Sequence, residues 1–313
     1  MSGGAADPPA RHAAATASRG VLAVLAAAVL FGTTGTAQAL GPDGTTPATV
    51  GAARLAVGGA ALVLMAWAAS RSMRPLLAIC RTRWGLVAAV FVAVYQLCFF
   101  AGTARAGVAA GTLVTIGSAP FLTGLLAWAV DRVAPGRAWA GATAVAVGGL
   151  ALLSLGGASG GAGDPAGLWF SLASGLGYAA YTVAGKRLIG QGHASLDVMA
   201  ASFGLGGVLL LPVLIAGPTA WLATPSGAAL GLYLGLVPTA LAYAMYGRGL
   251  AVLPSGTVAT LVLAEPVVAT LLGVAVLGES LGAAGAAGCA LVVVALGMLA
   301  RHTTRSAPAP VGV

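Results

Sequence analysis

Ten apolar runs follow one another along this chain, separated by short polar, Gly or Pro breaks. They cover approximately residues 20–40, 47–69, 83–102, 107–129, 137–156, 166–186, 195–216, 227–247, 252–276 and 281–299. An α-helix of about 20 apolar residues crosses a hydrocarbon core of about 30 Å, so each run is long enough to span a bilayer. The pattern predicts an all-α integral membrane protein with ten transmembrane helices. Residues 1–19 read as a disordered cytoplasmic N-tail, 157–165 as a Gly/Ala/Ser/Asp linker at mid-chain, and 300–313 as a cytoplasmic C-tail.

Composition removes the competing classes. Hydrophobic residues make up 59% of the chain and charged residues 7%, far below the roughly 25% of a soluble domain. Mean hydropathy is +0.97. Fifteen basic and seven acidic side chains cannot cover a soluble surface at this length, so the solvent is lipid. The net charge of +8 would suggest nucleic acid if it were clustered, but the basic residues are scattered between apolar runs, and no nucleic-acid partner is expected. Three cysteines (Cys80, Cys98, Cys289) and three histidines (His12, His193, His302) lie far apart, which argues against a disulfide framework and against a metal site. No cofactor is expected. The 48 glycines carry no collagen period and read as close helix packing in lipid.

The basic residues set the expected topology. With the N-terminus in the cytoplasm, 13 of the 15 Lys and Arg fall in cytoplasmic segments, Arg105 alone in an outer loop, and Arg54 inside the second run. That is the positive-inside bias of a multi-pass cell (inner or plasma) membrane protein with both termini cytoplasmic. Run 1 also has signal-peptide features, since Arg11 and Arg19 precede an apolar core and Ala37-Gln38-Ala39 fits a cleavage site. The internal duplication needs run 1 as a permanent helix, so it is expected to be retained.

That duplication is visible twice. GVLAVLAAAVLFG from Gly20 pairs with GLWFSLASGLGYA from Gly167, and GTLVTIGSAPFLTGLL around Pro120 pairs with TVATLVLAEPVVATLL around Pro266, at offsets of 147 and 146. Two five-helix halves follow, 20–156 and 166–299. An odd number of crossings per half inverts the second half, the arrangement typical of secondary transporters with a midplane site between the halves.

Two ionisable side chains lie within spans. Arg54 sits about 10 Å, and Glu265 about 16 Å, in from the outer ends of their helices at 1.5 Å per residue. Charges at such depth are costly, face a cavity or a partner, and mark substrate or proton pathways. Arg54 and Glu265 are the candidates for substrate binding or coupling; snorkelling of Arg54 to headgroups and a structural hydrogen bond at Glu265 are the plainer alternatives. Tyr95, Gln96, Tyr178, Tyr181 and Tyr243 are candidates for cavity lining, and the Thr33–Gln38 run is another. Pro120 and Pro266, at matched mid-helix positions, are candidates for kinking or gating. Trp84, Trp128, Trp221 and Tyr246 read as an interfacial belt. Gly227, Gly231 and Gly235 form overlapping GxxxG steps, read first as packing within one bundle and second as a homodimer face. No nucleotide loop, zinc helix or nucleophile elbow is present, and an enzyme is not expected.

The pattern resembles the EamA family of the drug/metabolite transporter superfamily over about residues 20–299. The resemblance rests on Ala109–Leu126 around Pro120, on YLGLVPTALAYAMYGRGL and LVLAEPVVATLLGVAVLGES with Glu265-Pro266 and Gly278-Glu279, on GLGYAAYTVAGKRL, and on Arg54. It implies ten helices in two inverted five-helix repeats, cytoplasmic termini and a central cavity exporting small metabolites. One departure is Asp131-Arg132-Val133, where the family often has Gly-Glu. The expected function is a secondary transporter moving a small-molecule substrate, such as an amino acid or related compound, outward across the lipid bilayer by alternating access. The alternatives are proton-coupled efflux of lipophilic cationic drugs and a non-transporting scaffold or sensor.

Overall fold

A computed structural model describes residues 8–132, 134–156 and 164–305. The long helices are α1 (Pro8–Ala39), α2 (Pro47–Ser70), α4 (Arg83–Ala106), α5 (Val108–Asp131), α6 (Arg137–Gly156), α7 (Pro165–Gly190), α8 (Ser195–Ala216) and α13 (Ala283–Arg305). The eighth and ninth crossings are composite. α9 (Pro225–Gly235) continues through a π turn (Leu236–Leu241) into α10 (Ala242–Val252), and α11 (Ser255–Leu261) is followed by α12 (Ala264–Leu277). α3 (Arg74–Cys80) is a short extra helix at the basic end.

Helix starts follow local chemistry. Thr46, Thr82, Asp164 and Thr224 accept backbone N–H groups at the first turns of α2, α4, α7 and α9, and Pro occupies the opening positions of α2, α7 and α9 where its missing N–H costs nothing. Nine segments among the described residues are long and apolar enough to cross a membrane on their own. α7 is the tenth. Its 26 residues are long enough, but Ser171, Ser174, Tyr178, Tyr181 and Thr182 dilute its hydropathy. All five are buried in protein, so lipid does not meet them.

The packing pattern repeats between halves. α7 lies against α4 and α5, and its counterpart α1 lies against α10 and α12. α2 packs on α8, and α6 on α13, so each of these pairs is its own image under exchange of the halves. Five crossings per half make that exchange an inversion across the membrane. At the α6–α13 seam the backbones nearly touch: a Cβ on Gly149 would lie 2.8 Å from the Gly288 carbonyl, and one on Gly288 2.5 Å from the Gly149 carbonyl. Outside, large apolar side chains face outward, Ile215 at 81% and Met298 at 64% exposed. A surface so apolar is a lipid surface.

Several expectations need correction. Residues 8–19, expected as a tail, form the first turns of α1, with Ala17 buried. The expected C-tail is helical to Arg305. Residues 1–7, 133, 157–163 and 306–313 lie outside the described residues, and with them most of the expected linker. Trp221 is not a belt residue: it is buried, and its Nε1 donates to Thr49 Oγ1 at 3.2 Å. The GxxxG glycines are covered by the chain's own Trp221, Leu222, Val57 and Gly58.

Candidate functional site

Three prolines shape the centre of the bundle. A proline lacks the N–H that the carbonyl four residues earlier would accept. Pro266 frees the Val262 carbonyl, which instead accepts the Glu265 N–H at 2.8 Å, while Leu263 N–H bonds back to Thr260 at 3.0 Å. The crossing tightens and breaks there, and α12 restarts with Glu265 in its first turn. Pro266 is therefore at a helix start and not at mid-helix as its sequence position suggested. Pro120 does lie inside a continuous helix, α5. Pro238 frees the Leu234 carbonyl, and the Thr239 hydroxyl donates to it at 2.8 Å within the π turn.

The α11–α12 break and the turn of α5 before Pro120 border one cavity. It has about 20 Å³ of free space, enough for about one water. Tyr95 of α4, Thr115, Ile116 and Ala119 of α5, Tyr178 of α7, Ala259 of α11, Val262, and Glu265 of α12 line it. Ile116 and Val262, both carrying carbonyls freed by proline, are 146 residues apart, as are Ala119 and Glu265. The cavity thus draws equivalent positions from both halves, with a methyl group on one side and a carboxyl group on the other. Glycines allow the approach: a Cβ on Gly32 of α1 would meet the Glu265 carbonyl at 2.9 Å, and one on Gly177 of α7 would meet the Tyr95 nitrogen at 3.0 Å.

An aromatic cluster flanks the cavity. The Tyr178 and Tyr181 rings are 5.1 Å apart, Tyr95 lies 6.1 Å from each, and Tyr243 packs at a tilt against Phe203 at 3.8 Å and Phe31 at 4.9 Å. The hydroxyls are mostly spent within the cluster. Tyr178 donates to Tyr246 at 3.2 Å, Tyr246 and Thr182 share a bond of 2.8 Å, and Tyr181 and Tyr243 one of 3.1 Å. Tyr246 is therefore a buried member of the site and not an interfacial belt residue.

Arg54 approaches from α2. Its Nε donates to Thr239 Oγ1 at 3.4 Å, the same hydroxyl that closes the π turn. It does not line the cavity, and no ion pair joins it to Glu265 within 4.0 Å. Gln96 is buried and donates to the Gly51 carbonyl at 3.5 Å, tying α4 to α2 outside the lining. Thr33 bonds to the Leu30 carbonyl and accepts the Tyr233 hydroxyl at 3.0 Å, also outside it. Phe31, Phe203, Thr115 and Thr239 belong to the site but carried no sequence signal beyond membership of apolar runs. The 146–147-residue offset is the one clue that pairs Phe31 with Tyr178. Among the described residues no group of three His, Cys, Asp or Glu side chains is placed to hold a metal.

An apolar bundle of ten crossings built from two exchanged halves, with a small, mostly apolar chamber that holds one carboxyl group where they meet, is a multi-pass membrane transporter. The chain belongs to the EamA-like transporter family, whose pattern matches it twice, over residues 18–155 and 165–301. It is similar to "Uncharacterized transporter YwfM" of Bacillus subtilis (strain 168), at 39% identity over 277 residues, covering 88% of this chain and 91% of that one. Its fold is similar to that of a crystal structure titled only as that of a protein, with TM-score 0.76, 21% identity, and coverage of 90% of this chain and 96% of that one.

Proposed function

We propose that this protein is a secondary carrier of the cell membrane, not an enzyme, that exports a small metabolite, such as an amino acid or related compound, by alternating access. Both termini lie in the cytoplasm in this reading, as the positive-inside bias requires. The observation that carries it is Glu265: a carboxyl group facing a small chamber at the meeting of the two halves, on a helix restart created by Pro266. A chamber with room for about one water is too small for a metabolite, so loading requires the halves to part. Glu265 takes the coupling role, and Arg54 supplies positive charge at the chamber's flank.

Extracellular metabolite profiling tests this. Cells expressing wild type, Glu265→Gln at matched membrane level, or empty vector are compared. A metabolite enriched at least about tenfold outside wild-type cells alone supports export through Glu265. Equal enrichment by both proteins removes Glu265 from the mechanism, and no enrichment by either defeats export.

A second reading has its own observation. The chamber lining pairs the Tyr95 and Tyr178 rings with a carboxyl group while Arg54 stays outside it. Aromatic faces beside an acid suit a cation, which favours proton-coupled efflux of a lipophilic cation. Cation accumulation in the same three strains separates the two: lower accumulation with wild type alone, without a change in the metabolite profile, selects efflux.

A further inference from the structure

A second cavity lies away from the chamber, between α4, α5 and α7. Its free volume is about 290 Å³, and Trp84, Val87, Phe91, Leu126, Val130, Leu176, Ala180 and Val183 line it. Trp84 stands in the first turn of α4, and Val130 in the last turn of α5. From Trp84 to Phe91 the cavity follows α4 inward for about 10 Å at 1.5 Å per residue. Leu176 on its wall is exposed, so the groove opens sideways to the surface that meets lipid.

Its mouth is cationic. The guanidinium groups of Arg83 and Arg187 lie 5.4 and 5.0 Å from the Trp84 ring. Arg187 pairs with Asp131 at 3.3 Å and donates to the Val130 carbonyl at 3.1 Å. Lys186 beside it is turned to the Leu250 and Ala251 carbonyls. Arg83 is exposed and makes no ion pair among the described residues. Two guanidinium groups against one carboxylate leave net positive charge at the mouth. The Trp84 indole N–H is buried without an acceptor among the described residues, and the ring rests against the two guanidinium groups and the groove wall.

An apolar groove running along the membrane normal, capped at the headgroup level by uncompensated guanidinium, matches a molecule with an acyl chain and an anionic head. We propose that this groove is a binding site for an anionic phospholipid: one acyl chain lies along Val87, Phe91, Leu126 and Leu176, and the phosphate rests at Arg83 and Arg187. A zwitterionic lipid fits the groove equally well but brings a quaternary ammonium group to the cationic mouth. Free phosphate has no use for the groove.

Native mass spectrometry of the delipidated full-length protein, titrated with phosphatidylglycerol, phosphatidylcholine or inorganic phosphate, tests the site. The expected result is retention of phosphatidylglycerol about tenfold over phosphatidylcholine, with no phosphate adduct. Arg83→Gln, an exposed substitution, lowers that preference severalfold. Ala180→Leu, which fills the groove, lowers binding of both lipids. Arg105→Gln, a cation over Phe170 at the opposite end, leaves both unchanged. A chain-brominated phosphatidylglycerol quenches part of the tryptophan emission of wild type, and that part disappears in Trp84→Phe. Equal retention of the two lipids, a preference that survives Arg83→Gln, or quenching that survives Trp84→Phe overturns the proposal.

Discussion

The tyrosines at the centre fall into two kinds, and the difference is measurable. Tyr246 is fully buried with its hydroxyl bonded to Tyr178 and Thr182. Tyr246→Phe strands both partners and should cost about 1–3 kcal/mol of stability, read as a lower thermal unfolding midpoint of the purified protein. Tyr95 lines the chamber and has no hydrogen-bond partner for its hydroxyl among the described residues. Tyr95→Phe should leave the unfolding midpoint within about 1 °C and lower transport severalfold. A Tyr95→Phe protein that transports normally would place substrate elsewhere. Arg54 belongs to a third kind, since its Nε reaches Thr239 on the π turn. Arg54→Lys keeps the charge but loses the side-on donor that a guanidinium offers. The sequence marked Glu265 and Arg54 clearly, because charge inside an apolar run stands out. Position within the run separated Tyr246 from Tyr95 wrongly, placing Tyr246 in the interfacial belt, because only the tertiary partners of its hydroxyl, Tyr178 and Thr182, show that it belongs to the buried centre.

At the scale of elements, the apolar runs between polar and Gly/Pro breaks located every crossing, the diluted α7 included, but not the interruptions within them. The residues 262–263 and 236–241 are as apolar as their flanks, so the breaks carry no hydropathy signal. What signals them is the proline four residues beyond each freed carbonyl: Val262 before Pro266 and Leu234 before Pro238. α3 was missed for a different reason. Its seven residues are too few to span, yet Leu76 and Ile79 are buried and α3 packs on α8, so it serves as an amphipathic brace at the basic end. The break at α11–α12 has a direct consequence. Pro266→Ala restores an N–H able to bond the Val262 carbonyl, in competition with Glu265. The helix then runs on through Val262, and the Glu265 carboxyl turns with it. Transport should fall about tenfold while insertion and unfolding stay near wild type. Loss of folded protein in Pro266→Ala would instead make the break a requirement of the fold.

At the scale of the whole molecule, the exchange of halves requires all connections of one kind to lie on one side. Among the described residues, 71–82 (which include α3), 132, 134–136, 191–194 and 253–254 lie between crossings at the basic end, and 40–46, 107, 164, 217–224 and 278–282 at the other. The helix count and the inversion were legible in the sequence because arginine and lysine cluster on alternate connections, which any miscount by one would scramble. Cysteine labelling in intact cells tests the resulting orientation. Cys80, Cys98 and Cys289 are first replaced by Ala; burial pushes the Cys80 thiol up from its usual range and slows its reaction, but a clean background needs all three removed. Gln191→Cys then places one exposed thiol at the basic end, and Ser226→Cys one at the opposite end. With the basic end in the cytoplasm, a membrane-impermeant maleimide labels the Ser226→Cys protein in intact cells and reaches the Gln191→Cys protein only after lysis. The reverse pattern would turn the bundle over, and with it the direction in which the chamber opens to export. Labelling of both proteins in intact cells would mean that the two sets of connections do not lie on opposite sides, and the five-and-five inversion would fall with it.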